Sequence, residues 1–319
     1  MGGYNFKMKL INPVVPKWKE LEKDFKKIVK SKELTTGTWT KKVEEKIKKI
    51  HNCKYCLVVS SATNAFYLLL NAVNKLYSPS KCVMQDFTWQ STKDIAKLFF
   101  KDSISFVDVD KSNWISKEPS SKNVLFIPNM TFGSVETFKH KKTIYDSSHC
   151  LGNNSCNGRG YGEIISFSPA KMITACEGGC IITNNKKIYY EALTMRRYHG
   201  RISEFNSCFF YHNLDNLNIK VLEKSIIDNL YFCNLDKYET WKPSYKFPTY
   251  PNEIVYTHPK MNKKRRREMS KLFDIRLRYK PSNKLNKNSM WIYKHQIVLP
   301  SVDGKKQMEV IKKLNEICK

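Results

Sequence analysis

Four short stretches of the 319-residue chain carry side chains that could act together. The first spans residues 166–179, SFSPAKMITACEGG. Its Lys171 follows an apolar run and precedes an acidic Gly-Gly turn, among neighbours that are mostly small or uncharged. An amine in such surroundings loses basicity and can act as a nucleophile. Its plainer reading is one lysine among 47. The second stretch is Asp146-Ser147-Ser148-His149. An aspartate closing a β run can hold a proton on a ring nitrogen by charge pairing, with the histidine aimed at the same ligand. A turn-forming Asp and a surface His would give the same letters. In the third, Ser60-Ser61-Ala62-Thr63-Asn64-Ala65, a β run ends in small hydroxyl residues and a helix begins. The first amides of a helix lack carbonyl partners and point out of its positive end, which suits a phosphate; a simple serine N-cap gives the same pattern. The fourth, Phe87-Thr88-Trp89-Gln90-Ser91-Thr92, sets an indole just past a strand end. There it can stack on a planar ligand or simply pack.

Taken together, a phosphate cradle, a stacking ring, an acid for a ring nitrogen and a reactive amine are the parts that hold pyridoxal 5'-phosphate. That cofactor supplies the electron sink, and a protein adds the lysine and the acid.

The elements that must position these residues are legible around them. Apolar β runs at 56–60, 82–87, 104–109, 124–128, 143–146, 164–168 and 180–183 alternate with helical stretches such as 62–76 and 91–100. This alternation predicts an α/β domain on a mixed, mostly parallel seven-stranded sheet. In such sheets ligands sit beyond the carboxyl ends of the strands, where all four stretches lie. Two amphipathic helices are expected before the sheet, at 17–30 and 40–51, and two after it, at 187–198 and 217–230. The Pro/Tyr-rich stretch from 242 to 259 marks a boundary. A large domain over 1–242 and a small C-terminal α+β domain over 243–319 follow, the latter closing on an amphipathic helix with Met308, Ile311, Leu314 and Ile317 on one face.

Composition narrows the function classes. Hydrophobic residues make up 41% and aromatics 13%, too much for a disordered chain despite a net charge of +27. The charge invites a nucleic-acid reading, but 47 lysines stand against nine arginines, and phosphate or base readout favours the arginine fork. Attraction to an anionic small molecule fits the same charge. Ten cysteines form no disulfide framework, and neither Cys53/Cys56 nor Cys176/Cys180 gives two close zinc pairs, so no metal is expected. No apolar run is long enough to span a bilayer and no signal-peptide core is present, so a cytoplasmic protein with reduced thiols is expected. The run Lys263-Lys264-Arg265-Arg266-Arg267 reads as a solvated helix rather than a polyanion contact.

The order and spacing of these motifs resemble the DegT/DnrJ/EryC1/StrS sugar aminotransferases, a family of fold-type-I pyridoxal-phosphate enzymes. SSATNAF resembles the family's SGTxAL, DFTWQST its PSFTFxAT, and FVDVD at 106–110 its strand of the same letters. YDSSHCLG resembles EDAAHALG, and SFSPAKMITACEGGCIITNN resembles SFSFxxxKxxxxGEGGAIxTN. RRYHGR at 196–201, RLRYKPS at 276–282 and IVLPSVD at 297–303 follow in the family's order. The resemblance implies that Lys171 is the Schiff-base lysine, that Asp146 pairs with the pyridine nitrogen, and that His149 sits by the phenolic oxygen. It further implies that Trp89 stacks on the ring and that Ala62, Thr63 and Ser166 hold the phosphate. In the family an Asn and an Arg reach the phosphate from the neighbouring subunit; in that register Tyr211 and Asn213 stand here. The implied activity is transfer of an amino group from an amino acid, glutamate by expectation, to a nucleotide-linked keto-deoxy sugar, by a homodimer with shared active sites. Some relatives are dehydratases with His in place of the lysine, and Lys171 points away from that chemistry. A degenerate, non-catalytic relative and a basic nucleic-acid-binding protein are the remaining rivals to a transaminase.

Overall fold

A computed structural model describes residues 8–236, 238–240, 253–302 and 304–319. The chain opens with α1 (Trp18–Ser31) and α2 (Thr38–His51). The strands of the main sheet are β1 (Tyr55–Val59), β2 (Cys82–Gln85), β3 (Ile104–Val107), β4 (Leu125–Ile127), β5 (Ile144–Asp146), β6 (Gly162–Ser166) and β7 (Gly179–Thr183). Helices α3 (Ala62–Tyr77) and α4 (Gln90–Phe100) connect the early strands, and α5 (Lys186–His199), α6 (Glu204–Asn213) and α7 (Leu217–Asn234) follow the sheet.

Two ladders, β1-β7-β6-β5 and β3-β2-β4, are joined by single parallel bridges, Phe126 to Thr143 and Asn129 to Asp146. The result is one seven-stranded sheet in which only β7 runs against its neighbours. The expected mixed, mostly parallel sheet is present. Its strands read as unbroken apolar runs because both faces are covered. Leu57, Val59, Ile164 and Ile181 pack toward α3 and α5, whereas Val58, Ile165 and Ile182 pack toward α2 and α6.

Helix α6 had no amphipathic signature in the sequence. It is held by Ser203 at its N-cap and by Glu204, whose buried carboxylate accepts from the amides of Gly37, Trp39 and Thr40 at 2.9, 2.6 and 2.9 Å. Glu204 therefore caps α2, which has no side-chain cap of its own.

The C-terminal part comprises β8 (Glu239–Thr240), β9 (Ile254–Thr257), α8 (Lys263–Met269), α9 (Lys287–His295), β10 (Gln296–Leu299) and α10 (Gly304–Cys318), with an antiparallel sheet in the order β10-β9-β8. The expected boundary at 242/243 lies outside the described residues. Helix α10 buries Val310, Ile311, Leu314 and Cys318, while Met308 is exposed, a shift from the expected face. The basic run forms most of α8. Lys263, Lys264 and Arg267 are exposed, but Arg265 bonds the carbonyls of Ile317 and Lys260, and Arg266 those of Gln296 and Lys294. All ten cysteines are free. Among the described residues no helix is long and apolar enough to cross a membrane.

Candidate active site

A cavity of about 440 Å³ opens where the parallel strands end. Its size lies in the range of small-molecule sites. Because β7 is antiparallel, its amino end, Gly178-Gly179, reaches the same edge as the carboxyl ends of β1, β2, β5 and β6. The loop between β6 and β7 carries Lys171. Phe167, Met172, Ile173 and Ala175 are buried and anchor this loop. The Lys171 amide closes a turn onto the Ser168 carbonyl at 3.0 Å, and the Phe167 amide bonds Gly178 at 2.9 Å. Lys171 is thereby left on the cavity wall.

The first turn of α3 forms the opposite rim. Ser61 caps it, accepting from the Asn64 amide at 3.1 Å, and Ala62 and Thr63 line the cavity. A Cβ on Gly179 would lie 2.5 Å from the Ala62 nitrogen. Glycine is therefore required there for β7 to approach the helix start, and the EGG motif and the SSAT motif form one cradle. Ser166, at the end of β6, and exposed Trp89, which precedes α4, complete the lining on either side.

Asp146 ends β5 and is buried. One carboxylate oxygen accepts from the Ser148 amide (3.2 Å) and hydroxyl (2.5 Å), and the other from the Thr92 hydroxyl (3.3 Å). His149 stacks on Phe132, with centroids 5.6 Å apart, and its Nε2 lies 3.3 Å from the Tyr279 hydroxyl. Burial, reinforced by Lys171, Arg278 and Lys224, holds its pKa well below the usual histidine value. The imidazole is therefore neutral. Its Nδ1 is buried and has no partner among the described residues.

Burial pushes the Lys171 amine down to about 8; Glu253 and Asp146 oppose this and Arg278 adds to it. Among the described residues no carboxylate lies within ion-pair distance of Lys171. Glu253 is instead taken by Arg278 in a two-pronged pair at 2.7 and 2.6 Å.

Seven of the eight residues singled out in the sequence share this cavity: Ala62, Thr63, Trp89, Asp146, His149, Ser166 and Lys171. Asn213 does not. It is fully buried, and its amide donates to the carbonyls of Val14 and Thr174 at 2.9 and 3.0 Å. It fastens the N-terminal segment to the lysine loop, and Tyr211 likewise packs against Trp39 and Lys46 rather than lining the cavity. Sequence reasoning missed Thr92, Asn129, Ser148, Glu253, Arg276, Arg278 and Tyr279. The RLRYKPS motif carried a signal for three of these; Glu253 adjoins the irregular stretch and gave none.

The profile of the DegT/DnrJ/EryC1/StrS aminotransferase family matches residues 17–124 and 137–223, more than half of the chain. The chain belongs to this family. Among curated relatives, this family member is 27% identical over 210 residues to the GDP-4-keto-6-deoxy-D-mannose 3-dehydratase of Escherichia coli O55:H7, covering 57% of this chain and 53% of that one. It is also 27% identical over 201 residues to the UDP-4-amino-4,6-dideoxy-N-acetyl-beta-L-altrosamine transaminase of Campylobacter jejuni, covering 56% and 52%. The chain thus spans about half the length of the curated relatives it matches. Its fold is that of Helicobacter pylori PseC, an aminotransferase involved in the biosynthesis of pseudoaminic acid, with a TM-score of 0.82 at 18% identity over 98% of this chain and 99% of that one.

Proposed function

We propose that this protein is a pyridoxal-phosphate-dependent transaminase that moves an amino group from an amino acid, glutamate in the first instance, to a nucleotide-linked keto-deoxy sugar. The observation that carries the reading is the Lys171 amine, its basicity lowered to about 8, on the wall of a cavity that also holds Asp146, His149 and the start of α3.

The residues fit the cofactor. The positive end of α3 at Ala62 and Thr63, with Ser166, suits a phosphate. Trp89 offers a face for the ring, and the Asp146 carboxylate suits a protonated ring nitrogen. The buried, unpartnered Nδ1 of His149 calls for a polar group inside the cavity. When bound, the cofactor supplies an aldehyde that captures the amino group and a ring that withdraws electrons. Lys171, with a pKa near working pH, takes up and returns the proton moved during transfer, as general base and acid. Asp146 keeps its proton-holding role through the Ser148 and Thr92 hydrogen bonds, which fix the orientation of its carboxylate. Neutral His149, aligned by Tyr279 and Phe132, holds a hydrogen bond without adding positive charge. The excess of lysine and arginine favours a substrate bearing phosphates. In this proposal the family's homodimer is the working form; the large domain, residues 1–242, carries Lys171, Asp146, His149 and the start of α3, and the C-terminal segments add Glu253, Arg276, Arg278 and Tyr279 to the lining.

A lysine at 171 supports transamination over the dehydratase chemistry of the E. coli relative. The test is spectroscopic. Glutamate should convert the bound cofactor from its aldehyde to its amine form, and a nucleotide-linked keto-deoxy sugar should reverse the change. If glutamate and other donors leave the absorption unchanged, the transaminase assignment fails.

A further inference from the structure

Outside the cavity, one group of side chains has the chemistry of a metal site. Cys208 and His212 lie four residues apart on α6, which places them on one face of the helix. Asp24, on α1, meets them across the packing of the two helices. Its Oδ2 lies 3.0 Å from His212 Nε2. Together with the Cys208 sulfur, these ligand atoms all fall within 4.8 Å of one another. Among the described residues no other three His, Cys, Asp or Glu side chains converge in this way.

We propose that Asp24, Cys208 and His212 form a Zn²⁺ site that bridges α1 and α6, with the fourth position open to water. Zinc takes one sulfur, one imidazole and one carboxylate in tetrahedral geometry; bonds of about 2.0–2.3 Å set ligand atoms roughly 3.3–3.8 Å apart, so closure needs side-chain movements of about 1 Å. A thiolate in the set disfavours Mg²⁺ and Ca²⁺, which prefer oxygen alone. The outer contacts are already in place. Lys27 binds the other carboxylate oxygen, Oδ1, at 2.7 Å and leaves Oδ2 facing His212. The His212 ring lies against Trp39, with centroids 5.6 Å apart. Such partners orient ligands and tune affinity. Cys208 is fully buried among Ile28, Trp39 and their neighbours, which shields the sulfur from oxidants.

The charge balance follows from the ligands. Cys208 is a free, fully buried cysteine and enters the site as a thiol. Asp24 enters as a carboxylate, already paired with Lys27 through Oδ1. On binding, the S–H bond breaks heterolytically and its proton leaves to solvent while the sulfur bonds zinc; His212 gives up the Nε2 proton it shares with Asp24, to Nδ1 through solvent or to solvent outright, and binds through Nε2 as the neutral imidazole. Thiolate and carboxylate together balance the charge of the dication.

The experiment uses the full chain loaded with Zn²⁺ or Co²⁺ and does not depend on cofactor or turnover. One zinc per chain is expected by elemental analysis, and Co²⁺ should give a near-ultraviolet thiolate charge-transfer band with visible bands of tetrahedral intensity. Cys208→Ser and the partly buried His212→Gln should each lose metal affinity by more than the roughly 10–100-fold expected of the outer-contact variant Lys27→Met. Far-UV circular dichroism checks that each variant is folded, and Zn²⁺ should raise the melting temperature of the parent but not of Cys208→Ser. Zinc content well below one per chain after loading, or a charge-transfer band that survives in Cys208→Ser, would overturn the proposal; the latter would assign the metal to another cysteine.

Discussion

Mixing the protein with one equivalent of pyridoxal phosphate at pH 7, trapping with borohydride and mapping the labelled peptide measures the reactivity on which the function rests. Only an unprotonated amine attacks an aldehyde. Lys171, at about 8, is roughly one-tenth unprotonated at pH 7, while an ordinary lysine near 10.4 is only about 0.04% so, an advantage of roughly 200-fold per residue. That advantage outweighs all the exposed lysines combined. One rival has the same basicity: burial brings Lys224 to about 8 as well. Chemistry alone does not separate the two, and geometry does. Lys171 lines both the cavity, with Asp146, His149 and the start of α3, and the narrow recess beside it, whereas Lys224 lines the recess and not the cavity. The label is therefore expected on Lys171. A lowered pKa means that reactivity is gained as pH rises, so the rate should climb about tenfold per pH unit below 8 and level off above it. Lys171→Ala should abolish the capture. Label spread over surface lysines, concentrated on Lys224, or still rising beyond pH 9, would refute the reasoning.

Asp146→Asn should retain the fold but lower kcat by at least ~10²-fold, since a proton-holding carboxylate is lost; steady-state kinetics with the keto sugar measure it. Gly179→Ala should weaken cofactor binding and cost about 1–3 kcal/mol of stability, because its Cβ would meet the Ala62 nitrogen; spectral titration and urea unfolding report both. Lys93→Met should cost about 3–5 kcal/mol in urea unfolding. The Asp86–Lys93 pair is fully buried at 3.0 Å, so the variant leaves the Asp86 carboxylate without its counter-ion, held by the amides of Ser282 and Asn283 and by the Asn286 side chain.

The parts that were legible in the sequence share a cause. The seven strands are buried on both faces, so each reads as an apolar run, and the site residues lie where those runs stop. Lys171 stood out because its loop is otherwise small and uncharged. Helix α6 was not legible because it buries Ser207, Cys208, Phe210 and Asn213 on several sides and has no apolar stripe. For the same reason Asn213 was misplaced: residue type and register suggested a phosphate ligand, but the side chain turns inward to two carbonyls. Arg278 and Tyr279 reach the cavity from more than 100 residues beyond Lys171; the RLRYKPS motif marked their segment, but nothing local reports that it folds back beside the lysine.

The lysine loop joins β6 to β7, two interior strands of the sheet, rather than leading into a surface helix. The Lys171 nitrogen is thus carried between two interior strands that are hydrogen-bonded to each other. Arg276, Arg278 and Glu253 belong to the C-terminal segments and form the other wall. Substitutions in the C-terminal third that spare Glu253, Arg278 and Tyr279 should accordingly reshape the wall facing Lys171 while leaving the lysine loop itself in place.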